Sequence, residues 1–155
     1  MTSPATTLRD EQQLIASLID TMQQEQAFLI RADSEGLSGL TPHKAELVQQ
    51  MAALSVRRHQ ALAGAGFAAN ESGMVTWMAA HGDEPTRGQW RELLARTADA
   101  KELNRVNGML INKQMNNTQV AINAMRMPAG GAEGAVYGPS GQAAASGPSR
   151  RFVVG

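Results

Sequence analysis

Residues 103–125 read LNRVNGMLINKQMNNTQVAINAM and predict the far end of a long helix. Counted in sevens from Trp90, its two seam positions are apolar at the start and mostly polar further along. The first seam holds Trp90, Thr97, Asn104, Ile111, Thr118 and Met125, and the second holds Leu93, Ala100, Asn107, Gln114 and Ala121. Because each buried amide needs a hydrogen-bond partner, such a seam buries poorly on its own. The pattern predicts a helix that takes a partner, although a solvated face or a register-setting device inside a bundle accounts for the same residues.

The stretch also contains residues that suit an adaptable surface. Met109, Met115 and Met125 carry flexible thioethers that can repack around another chain. Gly108 costs roughly 1 kcal/mol relative to alanine in a helix interior. We therefore expect this segment to be marginally helical alone and to order fully when a partner binds.

Composition places the whole chain in the all-α class. The 155 residues are 43% hydrophobic but only 4% aromatic, and no long stretch alternates apolar and polar residues as a strand does. The pattern predicts an antiparallel hairpin of two long helices plus a third long helix, an elongated bundle or coiled coil, with a disordered C-terminal tail. The predicted helices are 5–33, 41–65 and 87–125, with a short helix at 73–81.

The element boundaries follow from local turn chemistry. Two glycines and two serines in residues 34–39 predict a break after the first helix. Thr41 and Pro42 predict the start of the second helix, since a threonine hydroxyl can cap it and proline fits the first helical position. Ser72 and Thr86 are the expected caps of the next two helices. The domain prediction is a helical unit at 1–127 and an Ala/Gly/Pro/Ser-rich tail at 128–155.

Charge and cysteine content exclude several classes of function. Fourteen basic and fourteen acidic residues give a net charge of zero, so nucleic acid and anionic membranes are not expected partners. The chain has no cysteine, no signal peptide pattern and no apolar run long enough to cross a bilayer. We expect a cytoplasmic protein without direct membrane insertion.

The sequence offers little chemistry for catalysis. It has no HExxH, GxGxxG, GxxxxGK[ST] or GxSxG motif, and its three histidines are not at metal-ligand spacing. His81, Asp83 and Glu84 are close in sequence, but a solvated helix end explains them. Glu25 lies on the inner line of the first helix and is expected to approach Arg58 across the hairpin. We predict no enzyme activity, no cofactor and no metal site.

The order of these features resembles the flagellar export chaperones of the FlgN type. The similarity rests on the long N-terminal helix, the second helix with KAELV at 44–48 and Arg57 or Arg58, and the third helix with LNxxNGxxI at 103–111. The tail motif VYGPSG at 136–141 is similar to the tyrosine-containing tail of that family. The resemblance covers residues 8–141.

This resemblance implies a cytoplasmic chaperone of flagellar type III export. Its cargo would be the C-terminal helical segments of hook-filament junction proteins, kept from premature assembly and delivered to the cytoplasmic domain of the export gate protein FlhA. The residues that we expect to contact cargo are Asn104, Asn107, Leu110, Ile111, Met115 and Ile122, and Tyr137 is expected to dock to the gate. Phe152 to Val154 lie beyond the tyrosine motif and depart from the family pattern.

Two other classes remain open from the sequence. A structural helical adaptor or self-associating coiled coil would use the seam of the third helix to pair with itself. A small regulatory enzyme subunit or a metal-dependent enzyme would need a bound metal.

Overall fold

The computed structural model describes residues 2–126, and within them every regular element is a helix. The four helices are α1 (Leu8–Ile30), α2 (Ser34–Gly64), α3 (Glu71–His81) and α4 (Glu84–Arg126). The predicted all-α class, with a long-helix hairpin and a further long helix, is confirmed. The tail predicted at 128–155, with Tyr137 and Phe152 to Val154, lies outside the described residues. The chain divides into two units, 1–113 and 114–155, of which the second is described for 114–126.

Helices α1 and α2 form the antiparallel hairpin. Glu25, late in α1, pairs with Lys44, early in α2, at 3.0 Å between Oε1 and Nζ. Glu11, early in α1, pairs with Arg58, late in α2, at 3.1 Å between Oε2 and Nε. The sequence prediction for Arg58 was therefore wrong in its partner. Glu11 and Glu25 share one line of α1, but the antiparallel direction brings Glu11, not Glu25, beside the late residue of α2.

The first part of α4 runs parallel to α1 and completes a three-helix core. Gln12 donates a hydrogen bond from Nε2 to the Gln89 carbonyl oxygen at 3.1 Å, and Asn107 donates to the Met22 carbonyl oxygen at 2.8 Å. Short α3 closes one end with two buried methionines and a tryptophan. The buried core consists of Leu8, Ile15, Leu18, Met22, Leu47, Leu62, Met74, Trp77, Met78, Trp90, Leu93 and Ala100.

The turn between α1 and α2 is shorter than predicted. Ala32 takes the left-handed conformation with φ 55°, and the Asp33 N–H bonds the Phe28 carbonyl oxygen at 2.9 Å, which closes α1 as a Schellman motif. The Asp33 side chain then caps α2 by accepting the Gly36 N–H at 2.9 Å. The predicted break at 34–39 is wrong, because these residues already form the first turns of α2.

Glycine and proline misled the boundary prediction for a physical reason. A Cβ on Gly36 would lie 2.8 Å from the Phe28 ring, so this glycine permits close packing and not a bend. Pro42 lies inside α2, where a missing N–H usually costs about 3 kcal/mol or more. The helix nevertheless begins at Ser34, because the cap at Asp33 and the contact at Gly36 stabilise its first turns.

The other helix ends also differ by a few residues from the prediction. Asn70, not Ser72, caps α3 by accepting the Gly73 N–H at 2.8 Å. Asp83, not Thr86, caps α4 by accepting the Thr86 N–H at 2.9 Å. Hydrogen bonds from the side chain and the backbone of Thr86 lower the pKa of the Asp83 carboxyl group. The short helix ends at His81, and the Gly82 N–H that follows it bonds the Met78 carbonyl oxygen at 2.9 Å.

Gly108→Ala is expected to raise the free energy of unfolding by about 1 kcal/mol, because alanine is the better helix former and the added Cβ meets no atom within 4 Å. Urea unfolding followed by circular dichroism measures this change. Gly73→Ala is the contrasting variant: its Cβ collides with the Ala68 carbonyl oxygen, so it should destabilise the protein. Equal stability of the two variants would contradict the packing described at both sites.

Candidate partner-binding surface

The second seam of α4 is buried only as far as Asn107. Leu93, Ala100 and Asn107 are buried, whereas Gln114 is half-buried and Ala121 is exposed. The first seam is less covered: after Trp90, Thr97 is half-buried and the later positions are exposed. The predicted seam is thus buried against the hairpin as far as Asn107, and its later positions are half-buried or exposed.

Asn107 lies inside the core and not on the surface. Its side chain is 1% exposed, and Nδ2 donates to the Met22 carbonyl oxygen and to Glu25 Oε1, both at 2.8 Å. Its Oδ1 atom has no hydrogen-bond partner within the described residues. Asn107 was predicted to contact cargo, but here it acts as the register-setting device that the sequence left as an alternative.

Asn104 is exposed but already bound within the chain. Lys44 donates from Nζ to Asn104 Oδ1 at 2.9 Å and to both oxygens of Glu25 at 3.0 and 3.1 Å. Together with Asn107, these residues form a polar network that joins α1, α2 and α4. The network fixes the axial position of α4 against the hairpin at the last buried turn.

The next residues of the first unit present apolar side chains to solvent. Met109 is 58% exposed and Ile111 is 38% exposed, while Leu110 is half-buried. The Arg105 guanidinium lies 3.0 Å from the Met109 sulfur. Leu110 and Ile111 therefore remain accessible candidates for partner contacts.

The described residues of the second unit, 114–126, are helical and mostly exposed. Met115, Val120 and Met125 are 65%, 68% and 79% exposed, and Ile122 is half-buried. Local bonds support this part of the helix, such as the one from Thr118 Oγ1 to the Gln114 carbonyl oxygen at 2.9 Å. Val120 was missing from the sequence prediction.

Sequence reasoning expected Arg58 to approach Glu25 and missed its actual partners, which are Glu11, Glu71 and Trp90. Its Nη1 bonds Glu71 Oε1 at 3.1 Å, and its guanidinium carbon lies 4.9 Å from the centre of the Trp90 ring. Through Glu11 on α1, Glu71 on α3 and Trp90 on α4, this side chain of α2 contacts the other three helices. The signal in the sequence was an arginine in the apolar row of the second helix.

The described residues were also compared with the requirements of a metal site and of a membrane-spanning helix. Among residues 2–126, no group of three histidine and acidic side chains lies close enough to hold a metal ion. His81, in the sequence cluster considered above, packs against the rings of Phe67 and Trp77 at 5.8 and 5.9 Å between ring centres. None of the described helices has the length and hydropathy that a bilayer span needs.

A helical bundle with exposed methionine, valine and isoleucine side chains on a long helix has the features of a protein-binding protein. The profile of the family described as FlgN protein matches residues 1–145. The chain belongs to this family, whose members are flagellar export chaperones and bind flagellar proteins. The resemblance noted in the sequence is confirmed. Comparison with curated proteins and with solved structures found no significant match.

Proposed function

We propose that this protein is a cytoplasmic chaperone that holds the C-terminal helical segments of hook-filament junction proteins. It prevents their premature assembly and delivers them to the flagellar type III export gate. The observation that carries the proposal is the family match over residues 1–145. The exposed apolar side chains of α4 support it, because exposed apolar groups of this kind commonly bind partner proteins.

The cargo contacts are assigned to α4 with one change from the sequence prediction. Leu110, Ile111, Met115 and Ile122 remain the proposed contacts, and Asn104 contributes its exposed amide. Asn107 is reassigned to the internal polar network because it is buried and hydrogen-bonded to α1. An amphipathic cargo helix can lie along α4 and contact rows of side chains at three- and four-residue spacing.

The exposed thioethers suit a carrier that binds and later releases its cargo. Met115 contributes an unbranched, flexible side chain that can adapt to different apolar surfaces. Ordering of flexible side chains on binding lowers the affinity for a given contact area, which favours release at the gate.

Tyr137 is the proposed contact for the cytoplasmic domain of FlhA. The proposal rests on the family match and on the VYGPSG motif at 136–141. The cargo contacts on α4 and the gate contact then use different segments of the chain. One chaperone molecule can hold cargo and dock to the gate together.

Ile111→Asp and Met115→Asp, made singly in the full-length chain, are each expected to weaken cargo binding by about tenfold or more. A buried apolar side chain contributes about 1.5–3 kcal/mol, and 1.4 kcal/mol corresponds to a factor of ten. Affinity for the C-terminal segments of junction proteins is measured by calorimetry.

Tyr137→Ala should keep cargo affinity and lose binding to the cytoplasmic domain of FlhA.

Val56→Asp and Val75→Asp are the matched controls, because these valines are 53% and 58% exposed on α2 and α3. They should bind cargo like the natural protein. Wild-type cargo affinity in both α4 variants would count against the proposed site, and no binding of any junction segment to the natural protein would reject the function. A molecular mass that rises with protein concentration and falls in the Ile111→Asp variant would instead support a self-associating coiled coil.

A further inference from the structure

Asn107 is the only asparagine in the sequence that is followed by glycine. In a flexible chain, an asparagine before glycine loses its side-chain amide faster than other asparagines do. The reason is steric: Gly108 has no Cβ to keep its backbone nitrogen away from the neighbouring side chain. Asn107 is therefore the asparagine whose amide is chemically most reactive when the chain around it is flexible.

Loss of the Asn107 amide needs only water as a co-reactant. The Gly108 nitrogen gives up its proton and forms a bond to the side-chain carbonyl carbon of Asn107. The bond from that carbon to Nδ2 breaks, and the nitrogen leaves with the proton as ammonia. Water then opens the resulting cyclic imide on one side or the other. The product at position 107 is aspartate or isoaspartate, and in isoaspartate the backbone runs through the former side chain.

The folded chain blocks this reaction at several atoms. Nδ2 donates to the Met22 carbonyl oxygen and to Glu25 Oε1, both at 2.8 Å. Oδ1 accepts no hydrogen bond from any described residue, so no donor activates the carbonyl carbon. Within α4, the Gly108 N–H is directed to the carbonyl oxygen four residues earlier and away from the Asn107 side chain. The side chain is also 1% exposed, which keeps water from it.

This part of α4 opens more readily than the core. Asn107 is the last buried residue of α4, and residues 108–113 are half-buried or exposed. The anchor beside it is polar, since Lys44 joins Glu25 to Asn104. A helix end with few buried apolar contacts opens at a lower free energy than the rest of the protein. Opening at this place frees the Asn107 amide and the Gly108 nitrogen together.

We propose that Asn107 and Gly108 form a deamidation site that reacts only when α4 leaves the hairpin there, and that the product keeps α4 from returning. Aspartate at position 107 would place a carboxylate against the Met22 carbonyl oxygen and Glu25, where the amide had donated. Isoaspartate would interrupt the helical backbone itself. Detachment of α4 is thus recorded as a covalent change. All four residues belong to the first unit, and cargo binding plays no part.

The full-length chain, kept in mildly alkaline buffer with and without urea, tests the site. Mass spectrometry of proteolytic fragments locates each converted asparagine, and an isoaspartyl methyltransferase assay measures isoaspartate. In urea, position 107 should convert before Asn112 and Asn123, which precede lysine and alanine. Without urea, conversion at 107 should be at least about tenfold slower, because only the open population reacts. Equal rates at 107 with and without urea would overturn the proposal.

Gly108→Ala tests the attacking residue. Alanine fits α4 at this position, because no atom lies within 4 Å of the added Cβ. In urea, this variant should convert at position 107 by about tenfold or more slowly than the natural chain, since the Cβ hinders the attacking nitrogen. Conversion as fast as in the natural chain would overturn the proposal.

Lys44→Met tests the link to detachment of α4. The change removes the bonds from Nζ to Glu25 and Asn104, so conversion at 107 should become faster without urea and stay the same in urea. Lys113→Met is the matched control, because Lys113 is exposed on α4, and it should change neither rate. Circular dichroism confirms that both variants are folded. A rate without urea that Lys44→Met leaves unchanged would overturn the link.

The converted chain tests whether α4 can return. Chains converted in urea and then freed of it should unfold at a lower urea concentration than chains exposed to urea only briefly. Gly108→Ala chains given the long treatment should keep their unfolding curve, which controls for damage elsewhere. Identical curves for converted and briefly treated natural chains would overturn the proposed effect of the product.

Discussion

Replacing Arg58 with methionine is expected to lower the free energy of unfolding by about 3–5 kcal/mol, because the change leaves a buried carboxylate without its counter-ion. Glu11 is fully buried, and both of its oxygens accept from Arg58 Nε at 3.2 and 3.1 Å. Methionine keeps much of the side-chain length but removes the charge and the cation–π contact with Trp90. Urea unfolding of the full-length chain measures the loss.

The adjacent Arg57 supplies the control for this prediction. Arg57 is exposed, so Arg57→Met should change stability by no more than about 0.5 kcal/mol. The double variant Glu11→Met with Arg58→Met removes both buried charges and should be more stable than Arg58→Met alone. If the single and double variants lose the same stability, the buried charge is not the cause.

The Arg58→Met variant should also become more stable as the pH falls. Burial raises the pKa of Glu11 above its ordinary value of 4.5, and the Arg58 guanidinium opposes that rise. Without Arg58 the pKa of Glu11 rises further, and the neighbouring Glu71 carboxylate adds to the rise. Between the unfolded and folded pKa values, the folded state binds more protons than the unfolded state. Stability therefore increases as the pH falls through that window and levels off below the unfolded pKa.

Asn107→Asp is expected to destabilise the protein by at least about 3 kcal/mol at neutral pH. The Nδ2 group that donates to the Met22 carbonyl oxygen and Glu25 Oε1 would be replaced by an acceptor. The new carboxylate would be buried, would face two other acceptors and would repel Glu25. Because burial and Glu25 both raise its pKa, the loss should diminish as the pH falls. Unfolding at about pH 5 and about pH 7.5 tests the sign.

Asn112→Asp is the matched control on the same helix. Asn112 is exposed, so this variant should stay within about 0.5 kcal/mol of the natural protein. Equal stability of Asn107→Asp and Asn112→Asp would mean that Asn107 does not anchor α4 to the hairpin. The comparison separates burial of the amide from any general effect of aspartate on helix propensity.

Heptad spacing predicted the long helices because burial of one apolar face is a local property of a helical sequence. It identified Trp90, Leu93 and Ala100 as the buried side of α4, and the structure confirms them. It did not show that burial ends at Asn107, since that depends on how far the hairpin extends beside α4. The heptad pattern alone therefore did not reveal that Asn107, a predicted cargo contact, is buried in the described structure.

Boundary predictions failed where tertiary contacts override local preference. Glycine and proline are common in turns, yet Gly36 and Pro42 both lie within α2. The turn instead uses Ala32 in a left-handed conformation and the cap at Asp33. Close packing of Phe28 against Gly36 stabilises a helix start that the local sequence does not favour.

By itself, the sequence determined the all-helical class, the hairpin, the buried stripe of α4 and the family. Helix periodicity and the order of motifs depend only on the spacing of residues along the chain. The tertiary structure alone decided which carboxylate pairs with Arg58 and which asparagine is buried. These features join residues from separate helices. Their geometry follows from the antiparallel register and the distance between helices, which no single segment of sequence encodes.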